Sequence, residues 1–472
     1  MIITLNQFLS LSTAVTFKSS KRTADSFRVV PTGDDRHRSY IVNYDSTLPQ
    51  GEMHEALRCA AAKLCGQACA EKHTRVQLEA RTMDSAALLA FVDGLQLANY
   101  SFDRYKSKTP IHLTHLNIVS SKLKQAQLDE QLHLWNRLFW CREWVNLPVA
   151  DLNAPRFADE LKAVADDLHV RCEVFDKKAI EAMGMGGLLA VNKGSVDEPR
   201  LVVLEYNGQS DIRTSGYSDN PSRPKNRSVR KTERPICLVG KGIMYDTGGL
   251  NIKPNDYMQE MKSDMAGAAT MASVVFAAAD NALPIHLVAV LPLTDNRPGF
   301  NAYAADDILT MYDGTTVEVV NTDAEGRLIL ADALAYTVKR FNPSLLIDAA
   351  TLTGAAVRAI GTYGIAAVQQ HADKEMRRLK GVGESVHQRI AELPFWNEYD
   401  ELIKSDFADI KNCGPGNAGT ITAGKFLAHF VETTPYIHLD IAGVAYFTKA
   451  QVPYGTGASG YGLRLLYDFM KK

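Results

Sequence analysis

Two carboxylates and a guanidinium occupy alternate positions in the segment VNTDAEGRLIL, residues 320–330, as Asp323, Glu325 and Arg327. They follow the β-branched run 317–320, which predicts a buried strand. One interpretation is a solvated turn in which Arg327 neutralises its neighbours. The other is that the carboxylates hold a metal ion and the arginine holds an anion beside it. The second interpretation requires further ligands elsewhere in the chain.

The segment 238–268 supplies further groups that can bind metal or substrate. Lys241 lies between two glycines directly after a predicted strand, Asp246 precedes a glycine pair, Lys253 precedes a proline, and Asp264 opens an alanine-rich helical stretch. Each has an ordinary alternative, since Asp264 could be a helix N-cap, Asp246 a turn residue, and the lysines surface residues. Together with residues 323 and 325, however, the two aspartates would place four carboxylates at one edge of a sheet.

Four clustered carboxylates repel one another unless cations neutralise them. Two divalent ions would balance their charge, provided that any ligating lysine is neutral. Bringing a lysine pKa from 10.4 to pH 7 costs about 4.6 kcal/mol, which direct coordination to a dication can supply. Oxygen and nitrogen donors without cysteine suit Zn²⁺, Mn²⁺ or Co²⁺, and Mg²⁺ less tightly. Lys253 and Arg327 then remain as cations that can bind substrate charge.

A repeated strand–turn–helix pattern predicts the element framework of the larger part of the chain. Short apolar strands are expected at 201–206, 236–240, 285–292, 317–320, 345–350 and 436–442, with helices at about 265–280, 328–341 and 421–432. This alternation indicates an α/β fold with a mainly parallel central sheet covered by helices. Such sheets place their sites at the carboxyl ends of strands, where the polar residues of interest lie.

The chain is expected to divide into a small N-terminal α/β domain, 1–120, a connecting helix, 121–145, and a larger catalytic α/β domain, 146–472. Residues 207–234 interrupt the larger domain with seven Lys/Arg against three Asp/Glu and few apolar residues. This composition favours a basic, solvated loop insertion.

Composition excludes several classes of protein. The chain has 472 residues, 46% hydrophobic and 22% charged, with a net charge of −2, which gives no global reason to expect nucleic acid or a membrane surface as a partner. No apolar run approaches the ~20 residues of a membrane-spanning helix.

The N-terminus lacks a basic residue before its apolar stretch, which argues against a secretory signal. It resembles a transit peptide faintly and a first strand better. Seven cysteines without CxxC spacing favour core packing in a reducing, cytoplasmic compartment.

Two nucleotide-binding motifs occur without their structural context. GTGASG at 455–460 matches GxGxxG, but only 12 residues remain after it, too few for a βαβ unit. GTITAGKF at 419–426 has Phe426 where a P-loop needs Ser or Thr, and it follows a loop rather than a strand. Neither motif predicts nucleotide binding here.

Four blocks carry a family resemblance: VGKGIMYDTGGLNIKP, EMKSDMAGAA, NTDAEGRLILADALAY and DAATLTGA. They resemble the signature blocks of the cytosolic leucyl aminopeptidase family, and NTDAEGRL is highly specific to it. The resemblance runs from about Asn146 to the C-terminus. It implies a metal-dependent aminopeptidase in which a hydroxide activated by two metal ions attacks the peptide bond. It also implies that one metal binds the free α-amine, which restricts cleavage to the N-terminal residue.

The resemblance also implies a role for each matching residue. The two metal ions would be held by Lys241, Asp246, Asp264, Asp323 and Glu325, with Asp246 and Glu325 shared. Lys253 would stabilise the tetrahedral oxyanion, and Arg327 would hold a bicarbonate that acts as general base, with contacts from the backbone of Ala324 and Leu352. The pocket for the first, leucine-like side chain would be formed by Met261, Thr351, Gly354 and Ala442.

The family implies a homohexamer, a dimer of trimers, that acts on peptides. Two other functions are possible for a chain of this fold. One is an oligomeric scaffold that has lost its chemistry, although such a protein should also lose metal ligands, and none is missing here. The other is a member that binds nucleic acid, for which the basic loop 207–234 is the single supporting feature.

Overall fold

A computed structural model describes residues 1–6, 13–20, 29–32, 39–208 and 234–471. Within-chain contacts divide the protein into two units. The first comprises Met1–Phe139, Gly381–Gln388 and Tyr446–Ser459, and the second Trp140–Lys380, Arg389–Ala445 and Gly460–Lys472. The three domain ranges expected from sequence remain a proposal.

The first unit is a small α/β structure with helices packed on a six-stranded sheet. In chain order its elements are β1 (Ile2–Leu5), β2 (Ala14–Ser20), β3 (Val29–Thr32), β4 (Ser39–Asp45), α1 (Gln50–Ala70), β5 (Arg75–Glu79), α2 (Ser85–Asn99) and β6 (His115–Val119). The strand order is β1-β6-β5-β2-β4-β3, and β3 is antiparallel to its neighbour β4. Buried residues of α1 and α2, such as Leu57, Leu64 and Phe91, form one core with Val42 and Val76 of the strands.

Helix α3 (Gln125–Asn146) leads from the first unit into the second. The chain then continues through α4 (Ala154–Asp167), β7 (Arg171–Phe175), α5 (Lys177–Met183), α6 (Gly186–Asn192), β8 (Arg200–Asn207), β9 (Ile236–Gly240), β10 (Gly242–Asp246), α7 (Ala266–Asp280), β11 (His286–Asn296), β12 (Ile308–Thr310), β13 (Thr316–Glu318), α8 (Glu325–Phe341), β14 (Leu345–Ala350), α9 (Gly354–Ile360), β15 (Ile365–Gln370), α10 (Asp373–Val386), β16 (Ile390–Glu392), β17 (Ile410–Lys411), α11 (Gly419–Ala428) and β18 (Tyr436–Asp440). These elements belong to the second unit, except for the end of α10 from Gly381 onward, which belongs to the first. The chain closes with β19 (Tyr446–Gln451), β20 (Gly455–Ala458) and α12 (Leu463–Lys471), of which β19 and β20 belong to the first unit.

The central sheet of the second unit has the order β16-β15-β18-β14-β9-β11-β8-β7, and β10 also pairs with β11. Five of its eight pairings among the described residues are parallel. Cys237 and Val239 of β9 point to one face of the sheet and pack in the same core as α8. Gly240 points to the opposite face and lies against Ala268 of α7. Helices therefore cover both faces, which confirms the predicted α/β class and its mainly parallel sheet.

One predicted strand lies elsewhere. The run 317–320 forms only the short β13, which pairs with β12 and β17 in a separate three-stranded sheet. The segment with Asp323 and Glu325 therefore does not follow a strand of the central sheet. Polar Asn412, in the loop after β17, accepts hydrogen bonds from the backbone of Val320 and Asn321 and ends the extended run there.

Most of the basic segment 207–234 lies outside the described residues. In the part of the chain that is described, no helix combines the length and apolarity needed to cross a bilayer. All seven cysteines are free.

A buried polar cluster crosses from β14 to β18. His438 Nδ1 lies 2.8 Å from Asp348 Oδ1, and the Tyr436 hydroxyl donates to Asp348 Oδ2 at 2.5 Å. Burial alone would lower the pKa of His438, but the Asp348 carboxylate outweighs burial and holds that pKa above its ordinary value of 6.5. Asp440 raises this pKa further, and Arg327 opposes the increase.

This cluster predicts a pH-dependent loss of stability. Because the folded-state pKa of His438 is raised, its contribution is complete below pH 6.5 and is lost as the pH rises through the folded-state value. His438→Gln should therefore lower the midpoint of thermal unfolding more at pH 6 than at pH 9. Melting curves of both proteins at half-unit pH steps measure the difference. An equal decrease at every pH would show that the pair is not ionised in the folded protein.

Candidate metal centre and active site

The five predicted ligands come from four separate segments. Lys241 follows β9 directly, and Asp246 is the last residue of β10. Asp264 lies in a 3₁₀ turn, Met261–Met265, just before α7. Asp323 lies in the turn before α8, and Glu325 is the first residue of that helix. The site is therefore built from residues at the ends of β9 and β10 and at the starts of α7 and α8, not along a single sheet edge.

Lys241 is buried, with 2% of its surface exposed, which rules out a surface lysine. Its Nζ lies 2.8 Å from Asp264 Oδ1 and 3.0 Å from Glu325 Oε1, and it donates to the Thr351 carbonyl at 2.9 Å. Gly326 makes this reach possible, because a Cβ there would lie 2.4 Å from Lys241 Cε. The NTDAEGRL motif thus needs its glycine for packing against this lysine.

Lys253 joins the remaining two carboxylates. Its Nζ lies 2.7 Å from Asp246 Oδ2 and 2.7 Å from Asp323 Oδ1. Oxygen atoms of Asp246, Asp323 and Glu325 all lie within 4.8 Å of one another, a spacing that one cation can bridge. The structure thus brings all five predicted ligands and Lys253 into one cluster.

Two ordinary alternatives for these residues do not hold. Asp264 is not an N-cap, because Glu260 is the N-cap residue of the 3₁₀ turn in which it lies and Met265 is that of α7. Within the described residues Arg327 forms no ion pair with Asp323 or Glu325, and its Nη1 donates instead to the Asn412 carbonyl at 2.8 Å. Glu325 is 1% exposed, so the segment is not a solvated turn.

The electrostatics of the cluster are unfavourable as it stands. Among the described residues, the four carboxylates contact two ammonium groups and no other cation, so two negative charges there are not balanced. Burial and the charge of Asp246 raise the pKa of Glu325 to about 8. Burial also raises the pKa of Asp264 to about 6 and shifts that of Asp323 upward. Asp264 and Glu325 hold the pKa of Lys241 above its usual range although burial opposes them, so this lysine is an ammonium without metal.

The donor set fits divalent metal ions. Asp264 Oδ2 and Glu325 Oε2 are buried and have no hydrogen-bond partner among the described residues. A buried carboxylate oxygen without a partner is costly, and a cation would satisfy both oxygens. Ligation by Lys241 would release its proton, so metal binding at this site should be coupled to pH.

Arg327 has the features of an anion-binding residue. It is 7% exposed, and its Nε is buried without a hydrogen-bond partner among the described residues. No carboxylate in that part of the chain forms an ion pair with it, although Glu325 and Asp440 act on it electrostatically. The two backbone groups expected to help are already used, since the N–H of Ala324 donates to the Asn321 carbonyl and that of Leu352 to Asp440 Oδ1.

The predicted pocket residues lie on segments that meet near the cluster. Met261 begins the 3₁₀ turn that carries Asp264, and Gly354 begins α9. The N–H of Ala442 donates to Asp440 Oδ1, which also accepts the N–H of Leu352. The Thr351 hydroxyl donates to Asp264 Oδ1 at 2.7 Å, so this side chain orients a candidate ligand rather than only lining a pocket.

Sequence reasoning missed Asn412 altogether and, for Thr351, predicted a pocket residue but not its contact with a candidate ligand. The hydroxyl of Thr351 orients Asp264, a contact across 87 positions that no local pattern signals. Asn412 fixes the segment before α8 through Val320 and Asn321 and supplies the carbonyl that Arg327 contacts. Its only sequence signal is its position in the glycine-rich stretch KNCGPG, which predicts a loop but no partner.

The chain is similar to curated proteins over most of its length. It is 41% identical over 396 residues to a probable cytosol aminopeptidase of Syntrophotalea carbinolica, an alignment covering 82% of this chain and 75% of that protein. It is 40% identical over 412 residues to a probable cytosol aminopeptidase of Chlorobaculum tepidum, covering 84% and 77%.

Solved structures show the same architecture. The bottromycin maturation enzyme BotP superposes with a TM-score of 0.84 at 27% identity, covering 98% of this chain and 99% of that one. BotP solved in complex with Mn gives a TM-score of 0.83 at 28% identity, with the same coverage. The family model described as "Cytosol aminopeptidase family, catalytic domain" matches residues 139–467, which confirms the resemblance read from the four sequence blocks. This chain therefore belongs to the cytosol aminopeptidase family and is a metal-dependent aminopeptidase.

Proposed function

We propose that this enzyme releases leucine-like N-terminal residues from peptides at a dinuclear centre built on Lys241, Asp246, Asp264, Asp323 and Glu325. One observation supports this most directly. Three carboxylates lie within 4.8 Å of one another beside a buried lysine, and two of the site's carboxylate oxygens have no partner among the described residues. In a metallopeptidase, bound metal ions would pair with these carboxylate oxygens. A purely structural acidic cluster would instead be expected to pair them with protein groups.

The ligand set favours particular metals. Four carboxylates and one amine suit Zn²⁺ or Mn²⁺, with Co²⁺ and Mg²⁺ as further options. The structural relative solved with Mn supports manganese. Bound divalent ions acidify water and act as Lewis acids toward a carbonyl oxygen, and in pairs they orient the substrate. Asp246 and Glu325 are the residues that would be shared, as the family resemblance implies, and both belong to the group of carboxylates that lie within 4.8 Å of one another.

Lys253 would stabilise the oxyanion. It is a partly buried ammonium, with 14% of its side chain exposed, in a cluster of candidate ligands. Asp246 and Asp323 hold its pKa above the usual range although burial opposes them, so it stays charged at neutral pH. A fixed cation at the edge of a dry site stabilises charge that develops on a carbonyl oxygen.

Arg327 would hold bicarbonate. A buried guanidinium without a carboxylate partner is costly, so an anion bound there would also stabilise the fold. A bicarbonate at this position offers a proton acceptor close to the metal ligands. Asn412 would orient the guanidinium by accepting from Nη1, which leaves Nε to face the anion.

Substrate preference is proposed to follow from Met261, Thr351, Gly354 and Ala442, a modest and largely apolar set. Arg358 places a positive charge beside Gly354, since its Nη1 would lie 3.3 Å from a Cβ built on that glycine. This cation should disfavour lysine or arginine as the first residue of the peptide. Leucine and methionine should be preferred.

Assembly and location are proposed from the family. A homohexamer, arranged as a dimer of trimers, is what the resemblance implies. The names of the relatives, cytosol aminopeptidases, support a cytoplasmic enzyme. The same match supports catalysis over the scaffold alternative, and no described feature supports nucleic-acid binding.

The test is hydrolysis of aminoacyl anilides by metal-stripped protein after addition of Mn²⁺, Zn²⁺, Co²⁺ or Mg²⁺. The panel contains leucyl, methionyl, glutamyl and lysyl compounds, with N-acetyl-leucyl anilide as the blocked control. We expect metal-restored cleavage of the leucyl and methionyl compounds, slower cleavage of the lysyl compound, and none of the blocked one. Repeating the assay in CO₂-free buffer with and without bicarbonate tests the role of Arg327.

The outcomes separate the parts of the proposal. No cleavage with any metal, by a protein that still binds two ions, would favour the silent scaffold. Cleavage of the blocked compound would contradict exopeptidase action. Fastest cleavage of the lysyl compound would contradict the pocket assignment alone, and a rate independent of bicarbonate would contradict the anion assignment alone.

A further inference from the structure

Asn296 is a buried amide at the end of β11 that no part of the proposed chemistry uses. It is fully buried and lies opposite Asp246 in the parallel pairing of β10 with β11. That pairing shifts register between Ile243 and Asp246, and an irregularity of this kind re-aims a side chain at the strand end. The shift places the Asp246 carboxylate beside the Asn296 amide.

The Asn296 side chain connects two halves of the candidate metal centre. Its Nδ2 donates to Asp246 Oδ1 at 2.9 Å and to the Thr322 carbonyl at 3.0 Å. The opposite orientation of the amide would direct its oxygen toward two acceptors, so chemistry fixes which atom is nitrogen. The Oδ1 atom points toward Gly249, where a Cβ would lie only 2.8 Å away and where φ is +64°. Only glycine allows this close approach without strain.

The Thr322 peptide is held from several sides. Its carbonyl also accepts from the hydroxyl of Tyr303, which is 2% exposed, at 2.7 Å. The Thr322 hydroxyl donates to the Gly248 carbonyl at 2.6 Å, and the Thr322 N–H donates to Asn251 Oδ1 at 2.8 Å. Thr322 therefore links the turn that carries Asp323 to the loop that leads to Lys253.

We propose that Asn296 is a positioning residue, which sets the distance between Asp246 and the Thr322–Asp323 turn so that both can bind the same metal. The proposal rests on the proposed function, since it concerns the same metal centre. Asn296 acts through Asp246 and Thr322 and touches no reacting atom. Tyr303 supports it by holding the same carbonyl from the other side.

A neutral side chain with two donors suits this position better than any other type. An aspartate would add a fifth carboxylate to a site that already lacks cations, and would face both acceptors without a proton to donate. A lysine would bring an ammonium that competes with the metal for Asp246. Of the donors that the described residues supply, an alanine would leave Asp246 Oδ1 with the N–H of Gly248 and the Thr322 carbonyl with the hydroxyl of Tyr303.

The experiment compares Asn296→Asp and Asn296→Ala with Asn192→Ala. Asn192 is a matched control because it is also buried in the second unit and donates both amide hydrogens, to the Asp197 carbonyl and the Thr294 hydroxyl. Metal-stripped proteins are titrated with Mn²⁺ against a chelating dye, and the Co²⁺-loaded forms are examined by visible absorption. Groups that orient metal ligands typically account for about 10- to 100-fold in metal affinity.

We expect both Asn296 variants to bind Mn²⁺ about 10- to 100-fold more weakly and to show an altered Co²⁺ spectrum. The Asn192 variant should lose only thermal stability. The aspartate variant is decisive, because added negative charge alone would tighten cation binding, whereas lost positioning weakens it. Unchanged or tighter binding by Asn296→Asp would overturn the proposal.

Two further results keep the test informative. If the Asn296 variants do not fold, Tyr303→Phe removes one hydrogen bond from the Thr322 carbonyl and should weaken Mn²⁺ binding in the same direction. Unchanged binding in Tyr303→Phe would then contradict positioning through that carbonyl. A wild-type protein that binds no metal and cleaves no anilide would contradict the proposed function, whereas a normal wild type with unaffected Asn296 variants would contradict this inference only.

Discussion

Glu325→Gln should remove nearly all activity while making the metal-free protein more stable. The side chain keeps its size but loses the charge that lies 3.0 Å from Lys241 Nζ and within 4.8 Å of two other carboxylates. Groups that only orient a metal ligand typically account for about 10- to 100-fold in metal affinity, so the loss of a charged ligand itself should weaken Mn²⁺ binding by at least that factor. Hydrolysis of leucyl anilide at a fixed, limiting Mn²⁺ concentration should decrease by a similar factor.

The gain in metal-free stability follows from the same charge. Burial and Asp246 raise the pKa of Glu325 to about 8 from an ordinary value of 4.5. An ionised group with a raised pKa destabilises the fold increasingly as the pH rises from 4.5 toward the folded-state value. Glutamine removes this cost, so the melting temperature of the metal-stripped variant should exceed that of wild type at pH 8. Adding Mn²⁺ should stabilise wild type strongly and the variant little.

Asp332→Asn is the control for this experiment. Asp332 lies on the same helix, is fully buried, and has a pKa that burial raises to about 7. It accepts the N–H groups of Leu188 and Tyr312, so it holds structure together away from the cluster. Its asparagine variant should change stability without changing the shift caused by Mn²⁺. If Glu325→Gln keeps both its activity and a wild-type Mn²⁺ shift, Glu325 is not a ligand.

Local patterns in the sequence predicted the framework well. Apolar runs with β-branched residues marked β8, β9, β11, β14 and β18, and alanine-rich or amphipathic periodicity marked α7 and α8 within a few residues of their bounds. The run 317–320 was assigned to the central sheet, where it does not lie, because composition indicates a strand but not its partner. Pairing is decided by distant segments such as β17, which brings Asn412 to the end of that run.

The candidate site shows the same division between local and distant information. Residue type, spacing and resemblance named Lys241, Asp246 and Glu325, and the structure brings them together. Contacts that orient them were out of reach, because Thr351 meets Asp264 across 87 positions and Asn296 meets Asp246 across 50. Single polar residues at strand ends are common, and only the folded chain shows which of them face a ligand.

Lys253→Met should leave the metal site intact and remove catalysis. Methionine keeps most of the length of the side chain but lacks the ammonium that lies 2.7 Å from both Asp246 and Asp323. If that ammonium stabilises the oxyanion, its loss should reduce kcat by about 10²- to 10³-fold with little change in KM. Mn²⁺ affinity should stay equal or increase, because a cation that competes for two ligands has been removed.

The metal-loaded variant distinguishes this role from simple charge neutralisation. If Lys253 only neutralised Asp246 and Asp323, bound metal would replace it, and the loaded variant would be fully active. If it acts on the substrate, metal cannot replace it, and activity stays low at saturating Mn²⁺. Lys404→Met, which removes an exposed ammonium paired with Glu401, serves as control and should behave as wild type. Anilide kinetics with a parallel Mn²⁺ titration therefore separate a lysine that stabilises the transition state from one that only balances charge.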